Sequence, residues 1–234
     1  MSVYMHHVET TLTDDQYELL VVLSEQSGRS IEELIRDAIV QAYGADPGQA
    51  RRLAALEQLL SLDLPVIPEE WQVSSEERSQ GVEVEPEPPT GIALLDADVC
   101  VHAAAPSSPA WDACAWVMSE IAHNRLNAAI DVEVVREIMD ALRRVDQREK
   151  AYLLVDALMQ IVPIHHPISS RDIQLAVNLC RMKEVQRIRS SGCIHLAVMQ
   201  HNGLNCIISL DPGYDDWPDV VRLNPFTLHA VAAK

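Results

Sequence analysis

Positive charge is scarce in this chain of 234 residues: 18 Lys and Arg stand against 35 Asp and Glu, for a formal net charge of −17. That balance excludes a protein that coats nucleic acid through bulk phosphate neutralisation. Long apolar runs are also missing. Runs such as residues 92–95 and 206–209 fall far short of the roughly 20 residues needed to cross a bilayer. The 5 cysteines (Cys100, Cys114, Cys180, Cys193 and Cys206) form no CxxC pair, which leaves buried, reduced thiols as the expectation. Residues 1–9 lack a basic region and an apolar stretch ahead of a cleavage site. The expectation is therefore a cytoplasmic protein without a signal peptide or membrane association.

What is present suits a globular protein: 48% hydrophobic and 23% charged residues, in a length that admits one large domain or two small ones. The acids are unevenly spread. Residues 1–90 hold 18 acids and 5 bases, whereas residues 91–234 hold 17 and 13. Between the halves, residues 62–90 show little helical periodicity and are broken by Pro65, Pro68, Pro86, Pro88 and Pro89, which reads as an acidic, proline-rich linker. No internal repeat is evident.

Residues 4–12 suit one strand. Thr13 with Gln16 then forms a capping box, and Asp14 and Asp15 complement the dipole of the helix that follows. Tyr17, Leu20 and Val21 follow at helical spacing, with Leu19, Val22 and Leu23 widening the apolar face. Ser30 with Glu33 opens a second helix that ends at Gly44, and a third is expected over 49–62, with Leu53, Leu56, Leu59 and Leu60 on one side. One strand and two helices cannot bury this apolar surface alone, so dimerisation through paired strands is the physical solution. Residues 8–44, with Leu12, the Thr-Asp-Asp cap and the Gly28-Arg29-Ser30 turn, resemble ribbon-helix-helix antitoxins and repressors. The continuation from Ala50 to Pro65 resembles the segment that follows this fold in VapB-type antitoxins. The resemblance implies a homodimer and places His7, Glu9 and Thr11 on the face that family members turn to DNA, with Ser30 as a phosphate contact at a helix start. Residues 1–50 hold nine acids and only Arg29 and Arg36, so charge disfavours DNA, and dimerisation without DNA readout is the main expectation.

After Gly91 the pattern alternates strand and helix: strands over 92–95, 128–130, 161–164, 205–209 and 220–223, and helices over 110–123, 131 onward, 150–160, 170–187 and 191–201. The helix after Asp131 should bury Val132, Val135, Ile138, Met139 and Leu142, and His165-His166 reads as a loop. Such alternation implies a mainly parallel sheet with helices on both faces and a site beyond the strands' carboxyl ends. Asp96 and Asp211 sit at two such ends, and Glu137 lies on a helix between them in sequence. Carboxylates about 4 Å apart repel by roughly 4 kcal/mol at an effective dielectric of 20, so a cluster of them calls for a cation, and oxygen-rich sites favour Mg²⁺ or Mn²⁺.

Three segments carry a second resemblance: Leu95-Asp96-Ala97-Asp98-Val99, the helix segment ending in Arg136-Glu137-Ile138, and the closing run from Ile207 through Ser209 and Asp211 to Pro225. Together they are similar to a PIN domain, the ribonuclease fold of VapC-type toxins, over about residues 92–225. The resemblance implies Asp96, Glu137 and Asp211 as catalytic metal ligands, with Asp98, Ser209 and Asp215 as auxiliary groups. Arg181, Lys183, Arg187 and Arg189 form a basic patch able to hold an RNA backbone without reading sequence. The chain departs from the pattern at Gly192, which stands where the family has a third Asp. Cys193 is a poor substitute for a hard cation, and His195 reads as a structural histidine on an apolar helix face.

The whole is therefore expected to be an α/β PIN-like domain preceded by a small ribbon-helix-helix dimerisation module. Its divisions are residues 1–46 for that module, 47–61 for an antitoxin-like helix, 62–90 for the linker, 91–225 for the PIN-like domain and 226–234 for a C-terminal tail. The chain resembles an antitoxin fused ahead of its toxin. The function implied is a Mg²⁺- or Mn²⁺-dependent endoribonuclease acting on an RNA substrate and restrained by the linker, with Trp71 and Arg78 as inhibitory anchors. The alternative is a catalytically degenerate regulator that binds RNA or a protein without cutting, with DNA bound by the ribbon-helix-helix module.

Overall fold

The computed structural model describes residues 12–27, 29–35, 38, 47–73, 91–182 and 188–232. Two compact units divide the chain, Met1–Ala50 and Arg51–Lys234. In the first, α1 (Asp14–Ser27) begins at the reciprocal cap foreseen from sequence: Thr13 N donates to Gln16 Oε1 at 3.0 Å, and Gln16 N donates to Thr13 Oγ1 at 3.4 Å. Ser30 and Glu33 repeat the motif ahead of a helical stretch over 31–35, at 3.0 and 3.2 Å. Tyr17, Leu19, Val22 and Leu23 on α1 are exposed. The expected strand over 4–12, with His7, Glu9 and Thr11, lies outside the described residues except for Leu12.

Helix α2 (Pro47–Leu60) belongs to the second unit from Arg51 onward. Of the stretch expected as a linker, residues 62–73 are described, and they pack into this unit, whereas Arg78 lies outside the described residues. Leu59 and Leu64 are fully buried, and Trp71, in a short 3-10 turn (Glu69–Trp71), is nearly so. Polar ties accompany the packing. Arg52 Nε donates to Ala122 O (3.1 Å), Leu64 N to Ala104 O (2.8 Å), and Lys150 Nζ to Asp63 O (2.6 Å). His102 Nε2 bonds the carbonyl of Trp71 at 2.7 Å while its Nδ1 meets Ser108 Oγ at 2.6 Å.

The sheet has five parallel strands: β1 (Ala93–Leu95), β2 (Ala128–Asp131), β3 (Ile164–His166), β4 (Cys206–Ile208) and β5 (Val221–Leu223), in the order β3-β2-β1-β4-β5. Between them run α3 (Ala97–Ala103), α4 (Trp111–Ala122), α5 (Val132–Arg144), α6 (Arg148–Ile161), α7 (Ser170–Leu179) and α8 (Ser190–Asn202), and α9 (Pro225–Ala232) closes the chain. Strands β1 and β2 are fully buried, as a sheet covered on both faces requires. The mainly parallel sheet flanked by helices thus matches the expected architecture.

Several local expectations need correction. His165 and His166 lie in β3, not in a loop, because α6 continues to Ile161 and delays the strand. Helix α7 is described to Leu179, short of the expected 187. On α5, Val134, Ile138, Ala141 and Leu142 face the core, while Val132 and Met139 are exposed. Residues 132 and 139 are seven apart and share the opposite side of the helix, where apolar residues mimic a core stripe. Helix α3, absent from the sequence reading, is capped by Asp96 and buried along its whole length. Residues 226–232 belong to α9, whose Leu228 joins the core. Helix α8 stops at Gly203, whose φ of +67° is the left-handed conformation that favours glycine.

Candidate metal centre

The strand order turns at β1, with β2 on one side and β4 on the other, and the carboxyl ends of these three strands carry the polar groups. Asp131 ends β2, Asp96 follows β1, and Ser209 and Asp211 follow β4. Two of the aspartates are held by the helices they cap. Asp96 Oδ1 accepts from Ala97 N at 2.7 Å, and Asp131 Oδ1 accepts from Val134 N at 3.1 Å. Glu137 projects from α5 into the same region.

Here α8 supplies an unexpected partner. His195 is 1% exposed; its Nδ1 lies 2.7 Å from Asp131 Oδ2, and its Nε2 lies 3.2 Å from Glu137 Oε2 and 3.8 Å from Asp96 Oδ1. One donor atom from each of Asp96, Glu137 and His195 falls within 4.8 Å of the others. His195 is thus part of the polar centre, where sequence reading gave it a structural place on an apolar face. Gly192 and His195 are three residues apart and share one face of α8, so the acid missing at Gly192 and the imidazole point to the same side. That spacing was the available signal. Asp131, read only as a cap, is the other group missed.

The second half of the cleft is organised by Ser209. Its hydroxyl donates to Asp96 Oδ2 (2.7 Å) and accepts from Asp211 N (2.9 Å), with Asp98 Oδ2 at 3.3 Å. Asp98 also accepts from Leu210 N at 3.1 Å. Asp211 accepts from Gly213 N at 2.8 Å and faces Arg189, whose Nε lies 3.4 Å from Oδ2. Asp215 is engaged elsewhere, in a two-point contact with Arg222 at 2.8 and 2.6 Å. Of the expected basic patch, Arg181 is exposed, Arg189 turns into the cleft, and Lys183 and Arg187 lie outside the described residues. Cys193 is buried beside Leu179 and Leu196 in a separate apolar cluster.

Burial drives the Asp96 carboxyl up, His195 pulls it back and Glu137 pushes it up again, with a net rise. Asp98 is raised well above the usual carboxylate range by burial and by Asp96. Burial also acts on Asp131 and Glu137, but their contacts with His195 outweigh it and hold both below the ordinary values. For His195 burial opposes the charge, and the carboxylates of Asp131, Glu137 and Asp96 overcome it, so its pKa stands well above the usual histidine value. Arg189 keeps its charge against burial through Asp96, Asp98 and Asp211.

Two carboxylates and an imidazole, converging at 3–4 Å with a carboxylate behind the imidazole, are a donor set that fits a divalent ion. Gly192 offers nothing to it. A Cβ there would lie 2.2 Å from Ile188 Cγ2 and 3.1 Å from the Tyr214 hydroxyl, so these side chains occupy the space of the missing acid.

The chain is 29% identical over 93 residues to VapC ribonuclease Mb1869c of Mycobacterium bovis and to ribonuclease VapC13 of Mycobacterium tuberculosis, which covers 40% of this chain and 70% of each relative. This chain is similar to VapC ribonucleases. No protein-family model matches it. Among solved structures, VapBC2 of Rickettsia felis aligns with a TM-score of 0.46 at 14% identity, covering 57% of this chain and 98% of that one. The sarcin-ricin loop cleaving toxin VapC20 of Mycobacterium tuberculosis gives a TM-score of 0.46 at 14% identity, covering 56% and 97%.

Two clefts flank this centre. One, of about 230 Å³, is lined by Trp71, Asp98, Arg189, Leu210 and Asp211, among others. The second, of about 270 Å³, is walled by Trp71, Arg136, Glu137, Arg189 and Ser191, among others. Trp71 and Arg189 border both. Beyond this region, no described helix is long and apolar enough to cross a membrane.

Proposed function

We propose that the protein is a divalent-metal-dependent endoribonuclease of the PIN/VapC type, restrained by its own N-terminal segment. The observation that carries this reading is the convergence of Asp96 and Glu137, with Asp98 and Asp211 linked to Asp96 through Ser209, at the ends of neighbouring parallel strands. Similarity to VapC ribonucleases supports the choice of RNA as substrate. Asp96 and Glu137 would hold Mg²⁺ or Mn²⁺, with Asp211 joining them once freed from Arg189. A bound divalent ion supplies an acidified water and a Lewis acid for the phosphodiester. Ser209 fixes the orientation of Asp96, and Arg181 and Arg189, with Lys183 and Arg187, hold the RNA backbone. Cleavage of single-stranded RNA with Mn²⁺ is expected from the full chain and is expected to fall by about 100-fold or more in Asp96→Asn. Equal cleavage by both proteins would overturn the reading.

Restraint is supported by Trp71, which borders both clefts and is tied through its carbonyl to His102. A cut near Ser79 would leave this residue anchored by Leu59 and Leu64, so Trp71→Ala is the sharper test. Cleavage should rise in that variant, and an unchanged rate would remove the restraint from the proposal.

The exposed Tyr17, Leu19, Val22 and Leu23 of α1 favour a homodimer through the first unit, as a ribbon-helix-helix module would form, with DNA binding disfavoured by its acidity. A degenerate regulator that binds RNA or a protein without cutting is the second reading. It is favoured by Gly192 and by Arg189, which already neutralises Asp211.

A further inference from the structure

We infer that Asp96, Glu137 and His195 form a mixed oxygen–nitrogen site for a first-row transition ion, with His195 Nε2 as a ligand and Mg²⁺ as the poorer occupant. This rests on reading the cleft as a metal centre and adds which donors and which ions it selects.

The orientation of His195 follows from its neighbours. An ionised Asp131 only accepts hydrogen bonds, so the imidazole donates through Nδ1 across 2.7 Å, which fixes the ring with Nε2 hydrogen-bonded to Glu137 Oε2 and facing Asp96 Oδ1. With Nε2 3.2 Å from Glu137 and 3.8 Å from Asp96, a divalent ion replacing the Nε2 proton would meet all three donors at once. A carboxylate behind an imidazole is also the arrangement that fixes ring orientation and strengthens the ring as a metal ligand. Neighbouring donors are absent or engaged elsewhere while Arg189 is in place. Gly192 has no side chain, Asp211 faces Arg189 and accepts from Gly213, and Cys193 is buried in a different cluster. The centre is therefore short of oxygen, and an imidazole takes the open place. Mg²⁺ prefers near-octahedral oxygen coordination, whereas imidazole nitrogen suits Zn²⁺, Fe²⁺ and Ni²⁺ better.

Titrating the metal-free full chain with Zn²⁺, Mn²⁺ and Mg²⁺ by calorimetry tests this directly. Zn²⁺ should bind at least about tenfold more tightly than Mg²⁺. His195→Gln should lower Zn²⁺ affinity by about 10–100-fold, and Asp131→Asn by about tenfold. Pulsed electron spin resonance of the Mn²⁺-loaded wild type should show nitrogen coupling from a bound imidazole. This readout needs no altered histidine and should vanish in Asp96→Asn. Equal affinity for Zn²⁺ and Mg²⁺, a spectrum without nitrogen coupling, or coupling that persists in Asp96→Asn would each overturn the inference. RNA cleavage is scored separately. Tight binding through His195 without cleavage would defeat the nuclease reading alone, and undiminished Mg²⁺-supported cleavage by His195→Gln would defeat the inference alone.

Discussion

The two halves of the acid-lined cleft are neutralised in different ways. On the side of Asp96 and Glu137 the positive partner is His195, fully buried and clamped by Asp131. On the side of Asp211 it is Arg189, about one-third exposed and held at 3.4 Å. A buried imidazole fixed by a carboxylate cannot leave without disrupting the fold, whereas a guanidinium one-third exposed at the start of α8 can swing into solvent at little cost. The first partner is thus part of the architecture and the second a removable plug.

Four changes break or sharpen that contrast. The largest effect is expected from Asp131→Ala, which removes both the cap of α5 and the clamp on His195. Breaking such a buried pair should lower stability by about 3–5 kcal/mol in chemical denaturation. Next comes Gly192→Asp, the substitution that restores the missing acid. Its Cβ would meet Ile188 at 2.2 Å, so an overpacking loss of about 1–3 kcal/mol is expected, with partial recovery when Ile188→Ala is added. If Gly192→Asp alone proves neutral, the packing explanation for the lost acid fails.

The third change is pH. The folded-state pKa of His195 lies well above the ordinary value of about 6.5, so its stabilisation is complete below that pH and is lost as pH rises through the folded value. The raised carboxyls of Asp96 and Asp98 act in the same direction from about pH 4 upward, because burial favours their neutral forms. The metal-free protein should therefore be about 1–2 kcal/mol less stable at pH 9 than at pH 6 when denaturation is followed in chelator, and His195→Gln should flatten the slope. The smallest effect on stability belongs to Arg189→Gln, within about 1 kcal/mol. Its signature is a metal affinity raised by a few-fold, measured by titration, and an unchanged affinity would show that Arg189 does not compete for the acids.

Much of the scaffold was legible because it follows from local rules. The caps at Thr13, Ser30 and Asp131 and the apolar runs before Asp96 and Ser209 all register within a few residues of sequence. The placing of Asp96 and Glu137 near one another came from the strand-end rule and the resemblance. His195 escaped because an imidazole surrounded by Ile194, Leu196 and Ala197 looks like a core histidine until the two helices are docked. Residues 62–73 read as a proline-broken linker with Leu64 and Trp71 as apolar anchors, and both do pack into the second unit, because proline forbids regular helix without forbidding burial.

The sequence by itself determined where the chain changes direction, which strands are buried and which acids stand at their ends, since period, capping and polarity act over a handful of neighbours. Only the tertiary structure decided that a histidine and an arginine would balance those acids, and that Ile188 and Tyr214 would fill the space beside Gly192. Electrostatic pairing and close packing depend on distances between residues remote in the chain, and no local pattern encodes those distances.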